Sequence, residues 1–221
     1  MRHSQCHKAR FAALGQRARC GTGLSPHAVF AIEREYMIPR LFCFAGGGTG
    51  PWKIVRMATI AGTSLPIATH LDIAPGRESA MASPRWTLRG ITSNERYVER
   101  SEKEDLLRRQ PSLGRPEATR AALIPIKKSP EWWGLTQDER RKIFEEQSTH
   151  IKIGLSFLPA IARRLHHCRD LGPDEPFDFL TWFEYAPSDE AAFDDLLVQL
   201  RRSPEWTFVT GEIDIRLERE P

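Results

Sequence analysis

The sequence predicts an α+β fold in which helices cover an antiparallel sheet, and the order of elements in its C-terminal half supports this. A short strand-like run precedes a segment with helical periodicity that begins at Thr136, and two strand-like runs follow it. A second amphipathic helix, predicted to be capped by Ser188, precedes a final strand-like region. Strand, helix, strand, strand, helix, strand is the ferredoxin-like order. The first half is compatible with a degraded copy of this unit, so we expect duplicated halves.

The charge and cysteine content exclude several classes of protein. The 221-residue chain has a formal net charge of +3, and residues 1–36 hold six Lys or Arg against two Glu, which leaves the remainder at −1. We therefore expect no nucleic-acid partner. No run of 18 apolar residues occurs, so we expect no membrane partner. The four cysteines show neither a CxxC pair nor zinc spacing, which favours reduced thiols in a cytoplasmic protein.

Residues 1–38 differ from the rest of the chain. They are rich in Arg and low in pattern, and we expect them to be disordered. Translation from Met37, which makes the upstream residues a mistaken start, is one explanation, and a targeting leader is the other. We expect a globular domain over residues 39–221, with a truncated N-terminal half over about 41–125 and a C-terminal half over about 126–221.

The predicted elements of the first half are short. The glycine-rich run Ala45 to Gly50 lacks the Gly-Lys-Ser/Thr ending of a phosphate-binding loop, so we interpret it as a flexible loop before a strand. Alternating residues predict three strands, a charged run predicts a helix, and a turn or short helix precedes the third strand. These elements are strands over 52–60, 86–91 and 123–127, the helix over 99–109, and the turn over 115–122.

One histidine lies on the apolar face of the helix that begins at Thr136. Thr136 and Glu139 have the spacing of a capping box. Ile143, Phe144 and His150 then follow at spacings that place them on or near one face. A histidine in this position is more often a hydrogen-bonded core residue than a metal ligand.

An arginine interrupts an apolar strand face further along the chain. Alternation places Arg163 on one face with Ile161, Leu165 and His167, and places Arg164 on the other. Such an arginine usually extends to solvent at the end of a sheet, and a buried one needs an anionic partner. The next strand is predicted over 177–185, and its shared face carries Phe177, Phe179, Thr181 and Phe183.

Several long runs resemble one protein family. The run EEQSTHIKIGLSFLPAIARRLHHCRDLG and the later PFDFLTWFEYAP resemble the chlorite dismutase family, and in particular its short, dimeric (lineage II) members. The likeness continues through RGITSNERYVERSEK upstream and EWTFVTGEIDIRLER downstream, and so covers residues 41 to 220. It implies two ferredoxin-like halves of the dimeric α/β-barrel superfamily, one non-covalent haem b per subunit bound in the C-terminal half, and a homodimer.

The resemblance also assigns roles to residues at matching motif positions. His150 matches the proximal ligand of the haem iron, and Glu205 and Lys128 match the charged groups behind it. Arg163 matches the distal catalytic arginine, and Gln110 matches a distal glutamine that can hydrogen-bond it. Six further positions match the wall of the haem pocket or the region of the haem propionates: Trp132, Leu158, Thr181, Phe183, Asn94 and Tyr97.

The resemblance implies an enzyme that decomposes chlorite to chloride and dioxygen, forming the O–O bond through ferryl haem and hypochlorite. Chlorite and other small anions are the expected ligands, and detoxification is the expected role. Two alternatives stay open. One is coproheme decarboxylation, against which Arg163 argues, and the other is a haem-binding or haem-sensing module without turnover. A structural protein without haem would not explain Lys128, His150, Arg163 and Glu205 together.

Overall fold

Eight strands form a closed antiparallel barrel in the computed structural model, which describes residues 40–172 and 174–220. The order of neighbours around the barrel is β1-β3-β2-β8-β5-β7-β6-β4. The prediction for residues 1–38 lies outside the described residues. The strands are β1 Leu41–Gly47, β2 Trp52–Ala61, β3 His70–Pro75, β4 Trp86–Thr92, β5 Arg120–Lys128, β6 Ala162–His167, β7 Phe179–Tyr185 and β8 Val209–Arg219.

Helices lie outside the barrel, and together with the antiparallel sheet they confirm the predicted α+β class. In the described residues, no helix is long and apolar enough to cross a membrane. The helices are α1 Arg100–Arg109, α2 Pro130–Gly134, α3 Gln137–Arg141 with a π-helical continuation over Lys142–Gln147, α4 His150–Ser156 and α5 Glu190–Arg201. Short 3-10 turns occupy Arg169–Leu171, Pro187–Asp189 and Pro204–Phe208.

The two halves of the barrel have the same strand order but different connections. The first four strands lie in the order β4-β1-β3-β2, and the last four in the order β8-β5-β7-β6. In the last four, helices α2 to α5 connect the strands, whereas short segments without helix join β1 to β2 and β3 to β4. The boundary predicted near residue 125 falls inside β5. In the part of the chain that the structure describes, the helices that connect strands within one half belong to the second half, and a pocket forms between them and its outer face.

Alternating side chains divide the strands into an inner and an outer face. The inner face fills the barrel with large apolar groups that include Phe44, Trp52, Trp182 and Ile215. The outer face of β5 and β7 packs against α5, which buries Phe193, Leu196, Leu197 and Leu200. Each of these four side chains contributes roughly 1.5–3 kcal/mol by leaving water. The sheet of the C-terminal half is thus stabilised on its inner face by the barrel core and on its outer face by α5.

The glycine-rich run is not the loop that the sequence predicts over its whole length. Residues Ala45 to Gly47 belong to β1, and the prediction of a flexible loop is wrong for them. A Cβ atom on Gly46 would lie 2.1 Å from the ring of Trp86. This glycine is therefore needed because an aromatic ring packs directly on the backbone.

Three other local predictions are corrected by the structure. Strand β5 begins at Arg120, so its first residues lie within the segment predicted as a turn, and β3 was not predicted. Strand β7 begins after Phe177, whose side chain packs among the inner barrel residues and not on the face of Phe179. Helix α5 begins at Glu190, and Ser188 lies in the preceding 3-10 turn, so it is not the cap.

Candidate active site

A large pocket lies between the outer face of strands β5 to β7 and the helices that cover it. It encloses about 1100 Å³ of empty space, part of which is open solvent. Its walls are mainly aliphatic and aromatic. The side chains that can ionise or hydrogen-bond are Asn94, Arg96, Tyr97, Lys128, Trp132, His150, Arg163, Thr181, Glu205 and Trp206.

The imidazole of His150 is held on one side and free on the other. Nδ1 lies 2.6 Å from Oε2 of Glu205. The ring of Phe144 stacks on the imidazole, with centroids 4.2 Å apart and an interplanar angle of 24°. Nε2 has no hydrogen-bond partner among residues 40–172 and 174–220. The carboxylate accepts a hydrogen bond from Nδ1–H, which places the proton of the neutral imidazole on Nδ1. Nε2 therefore presents its lone pair to the pocket.

The carboxylate of Glu205 contacts two side chains, those of His150 and Lys128. Its Oε1 accepts from Nζ of Lys128 at 2.7 Å, and both side chains are almost fully buried. Burial alone would raise the pKa of Glu205, but its contacts with His150 and with the Lys128 ammonium lower the pKa to about 2. Glu205 is therefore ionised, and its Oε2 can accept the hydrogen bond from Nδ1 of His150.

Arg163 extends from β6 into the same pocket without a carboxylate partner. No Asp or Glu oxygen of the described residues lies within 4.0 Å of its guanidinium. Burial lowers the pKa of Arg163 from its ordinary value. The neighbouring Arg164 lies instead over the ring of Phe42, 5.0 Å from its centroid. The alternation predicted from the sequence thus places one arginine in the pocket and the other outside it.

Gln110 contacts Arg163 but not in the way the resemblance implies. Its side-chain amide donates to the backbone carbonyl of Arg163 at 2.8 Å. Gln110 is not among the residues that line the pocket. In this structure the glutamine therefore supports the strand, and its amide does not reach the guanidinium.

Unpaired donors gather in one part of the pocket wall. Among the described residues, Nε of Arg96, Oη of Tyr97 and Nε1 of Trp132 are buried without a hydrogen-bond partner. The rings of Tyr97 and Trp132 are 6.1 Å apart. Oδ1 of Asn94 accepts from the backbone N–H of Leu165 at 2.8 Å, so its NH₂ group is free to donate. Buried donors without partners are costly, and this group fits a ligand with acceptor oxygens.

All the predicted site residues except Gln110 line this pocket. Sequence reasoning missed two residues that belong to it or support it. Arg96 lies between the two predicted residues Asn94 and Tyr97, and that position was its only signal. Ser148 is buried, and its Oγ accepts from the backbone N–H of Glu205 at 2.8 Å. Nothing in the local sequence indicates the contact between Ser148 and Glu205.

The geometry agrees with the comparisons with known proteins. The model of the chlorite dismutase family matches residues 73–217, and the chain belongs to this family. A crystal structure of dimeric chlorite dismutases from Nitrobacter winogradskyi is 56% identical, with a TM-score of 0.75. The similarity covers 81% of this chain and 99% of that one.

Two more distant relatives extend the comparison. Chlorite dismutase of Ideonella dechloratans is 35% identical over an alignment of 126 residues, and the match covers 54% of this chain. The chain spans about 40% of the length of that curated relative. A mutant chlorite dismutase from Candidatus Nitrospira defluvii is 18% identical, with a TM-score of 0.57, and covers 86% of this chain and 95% of that one. This last likeness supports the fold alone.

Proposed function

We propose that the chain is an enzyme that binds haem b and decomposes chlorite to chloride and dioxygen. The observation that carries the proposal is the presence, in one apolar pocket, of two complementary groups. Within residues 40–172 and 174–220, Nε2 of His150 has no partner and an ionised carboxylate lies behind the ring, and the guanidinium of Arg163 pairs with no carboxylate. The first suits an iron ligand and the second suits a small anion.

The residues of the pocket fit a haem. The apolar walls suit the porphyrin face, and Nε2 of His150 is available for the iron. The unpaired donors of Arg96, Tyr97 and Trp132 suit the carboxylates of the propionates. When bound, the haem iron would supply the oxygen-atom transfer that the reaction needs.

The side chains of the pocket supply binding and orientation and no proton. Chlorite contains the atoms of chloride and dioxygen, so the overall reaction requires neither a general acid nor a general base. Arg163 would attract the anion and hold its oxygens by charge-assisted hydrogen bonds. Thr181 and Phe183, on the neighbouring strand, would limit the water around it.

Lys128 and Glu205 would tune the iron ligand. The hydrogen bond from Nδ1 of His150 to a carboxylate fixes the imidazole ring and makes it a stronger donor. Lys128 keeps that carboxylate ionised in a buried place. Together they orient His150 before any ligand binds.

We also propose a homodimer and an origin by duplication of a ferredoxin-like unit. The relative from Nitrobacter winogradskyi is described as dimeric, and its 56% identity supports a similar assembly. The equal strand order of the two barrel halves supports duplication. A cytoplasmic location remains a proposal. It is supported by Cys43 and Cys168, which are buried free thiols.

Oxygen release after addition of chlorite to the haem-loaded protein tests the function. We expect Arg163→Ala to lower kcat/KM by about 100-fold, as for loss of one preorganised donor. Arg164→Ala is the matched control, because it removes the same charge one residue along and outside the pocket, and it should change the rate less than twofold. A wild-type protein that binds haem but releases no oxygen would contradict the proposal, and would leave a haem-binding module or a coproheme decarboxylase.

Coproheme decarboxylation is the second candidate, and one observation favours it. Oη of Tyr97 is buried in the pocket without a partner in the described residues, and a tyrosine is the expected reactive group of such enzymes. Loss of carbon dioxide from coproheme in the presence of peroxide tests this activity. Persistence of that activity in Tyr97→Phe would exclude the role of the hydroxyl.

A further inference from the structure

The helix that carries His150 is broken directly before that residue. Helix α3 widens into the π-helical turn Lys142–Gln147, Thr149 takes a left-handed conformation with φ 51° and ψ 34°, and α4 begins at His150. A β-branched residue is strained in this region of backbone space. π-helical turns and strained residues concentrate at functional sites, and this break lies directly next to His150.

The carboxylate of Glu145 spans the break. The backbone N–H of Ile151 donates to its Oε2 at 2.6 Å, and the N–H of Lys152 donates to its Oε1 at 3.3 Å. These N–H groups belong to the first turn of α4, where no preceding helical carbonyl can accept them. Glu145 therefore fixes the start of α4 relative to the turn before it.

Ser148 joins the same break to the group behind the histidine. Its buried Oγ accepts from the backbone N–H of Glu205, whose carboxylate accepts from Nδ1 of His150. The segment from Ser148 to His150 is thus tied to Glu205 at two points. Rotation of the imidazole would have to break one of them.

We infer that Glu145 and Ser148 are positioning residues that set the orientation of the His150 imidazole and, through it, the strength of the iron–histidine bond. This inference rests on the proposed function, since it takes His150 as the ligand of the haem iron. Neither side chain is among the described residues that line the pocket, so both act through the backbone and through Glu205.

Resonance Raman spectroscopy of the ferrous haem-loaded protein tests the inference directly. We expect Glu145→Gln and Ser148→Ala to shift the iron–histidine stretching band to lower frequency and to raise the haem dissociation rate by about 10-fold. Glu146→Gln and Ser156→Ala are matched controls on exposed positions of the same helices, and should leave both unchanged.

The outcomes separate this inference from the proposed function. Unshifted bands in both Glu145→Gln and Ser148→Ala overturn the inference while leaving haem ligation intact. Absence of any iron–histidine band in the wild-type protein contradicts the proposed function instead. Ser148→Thr retains the hydroxyl and should retain the wild-type band; a shift equal to that of Ser148→Ala would overturn the role of Oγ.

The break itself can be tested without haem by two substitutions of Thr149. In a left-handed conformation glycine is favoured over alanine, whereas in a continuous helix alanine is favoured. We therefore expect the Tm of Thr149→Gly to exceed that of Thr149→Ala by about 2–4 °C. The reverse order would mean that the helix continues through this residue, and would overturn the inference.

Discussion

Two clusters of buried charges lie on the outer face of the barrel, and they differ in whether their charges are saturated. In the first, Lys128 and Glu205 stand behind His150 in the pocket. In the second, between α5 and β8, Arg201 pairs with Glu212 and Asp214, and Arg216 pairs with Asp214 and Asp194. The first cluster ends in Nε2 of His150, which faces the pocket and has no partner in the described part of the chain, and the second ends at Asp194, which is exposed.

This difference separates a site from a structural network. In the β8 cluster each arginine has two carboxylates within 4.0 Å, so the loss of one leaves the other. In the pocket cluster Glu205 is the only carboxylate for Lys128 and for His150 among the described residues. Perturbed ionisable groups occur in both, and only the geometry distinguishes their roles.

The largest effect is expected from Glu205→Ala, because it leaves the Lys128 ammonium buried without a counter-charge. We expect a loss of about 3–5 kcal/mol in the free energy of unfolding of the haem-free protein, measured with urea. The double variant Lys128→Met, Glu205→Leu removes both charges and should recover most of this loss, while its haem affinity stays about 10–100-fold lower. Equal destabilisation of the single and double variants would refute the ion-pair explanation.

A smaller effect is expected from Asp214→Asn in the saturated cluster. Arg216 keeps Asp194 and Arg201 keeps Glu212, so we expect a loss of about 1–3 kcal/mol in the free energy of unfolding. The absorption spectrum of the bound haem should not change. Asp195→Asn, an exposed neighbour on α5, is the control and should cost less than about 0.5 kcal/mol. A shift of the haem spectrum in Asp214→Asn would show that the two clusters are coupled, and would contradict their separate roles.

The pH dependence of stability should also distinguish the β8 cluster. Burial raises the pKa of Asp214, but Arg216 and Arg201 lower it by more, so the pKa lies below its ordinary value. A lowered folded-state pKa contributes stability above the unfolded value of about 3.9, and this contribution is lost as the pH falls through the folded-state pKa. The stability difference between wild type and Asp214→Asn should therefore be constant above about pH 5 and shrink below about pH 4. A gap that stays constant down to pH 2 would contradict this assignment.

Local sequence patterns were sufficient for much of the site. The capping box of Thr136 and Glu139 forms as predicted. Strand alternation separates Arg163 from Arg164 because successive side chains of a strand point to opposite faces. The family resemblance predicted that Lys128 and Glu205 lie together behind His150, although 77 residues separate them.

The break before His150 shows what local patterns leave undetermined. Neither glycine nor proline lies in the segment from Glu145 to Thr149, so the sequence predicts a continuous helix. Ser148, which lies at the break, contacts Glu205, and 57 residues separate the two. Tertiary contacts of this kind override helical propensity.

Closure of the barrel was equally hidden in the sequence. Strands β4 and β6 pair through only two residue pairs, Ile91 with His167 and Thr92 with His166. Strand β3 has six residues, and β1 ends in glycines, which are rare in strands. Their pairing is specified by the inner aromatic core, which no single segment reveals.

The smallest effect, and the sharpest test of the comparison, is expected from a change of cation type that keeps the charge. Arg201 donates from Nε and Nη2 to Oε1 of Glu212 at 2.8 and 2.6 Å, and its side chain is 24% exposed. Arg201→Lys loses the guanidinium fork, and we expect the free energy of unfolding to fall by only about 1 kcal/mol. The exposed Arg202→Lys is the control and should be neutral.

In the pocket cluster, the opposite exchange, Lys128→Arg, should lower the free energy of unfolding by more than Arg201→Lys does. The side chain of Lys128 is 3% exposed and its Nζ lies 4.6 Å from the centroid of the Trp132 ring, so Lys128→Arg puts a larger group into a buried position between Trp132 and Glu205. We expect overpacking to lower the free energy of unfolding by about 1–3 kcal/mol, and the displaced Glu205 to weaken haem binding. Urea unfolding and haem titration of both variants measure the two costs. Similar costs for Lys128→Arg and Arg201→Lys, with haem binding unaffected, would mean that the two clusters tolerate change equally and that the pocket cluster is not specialised.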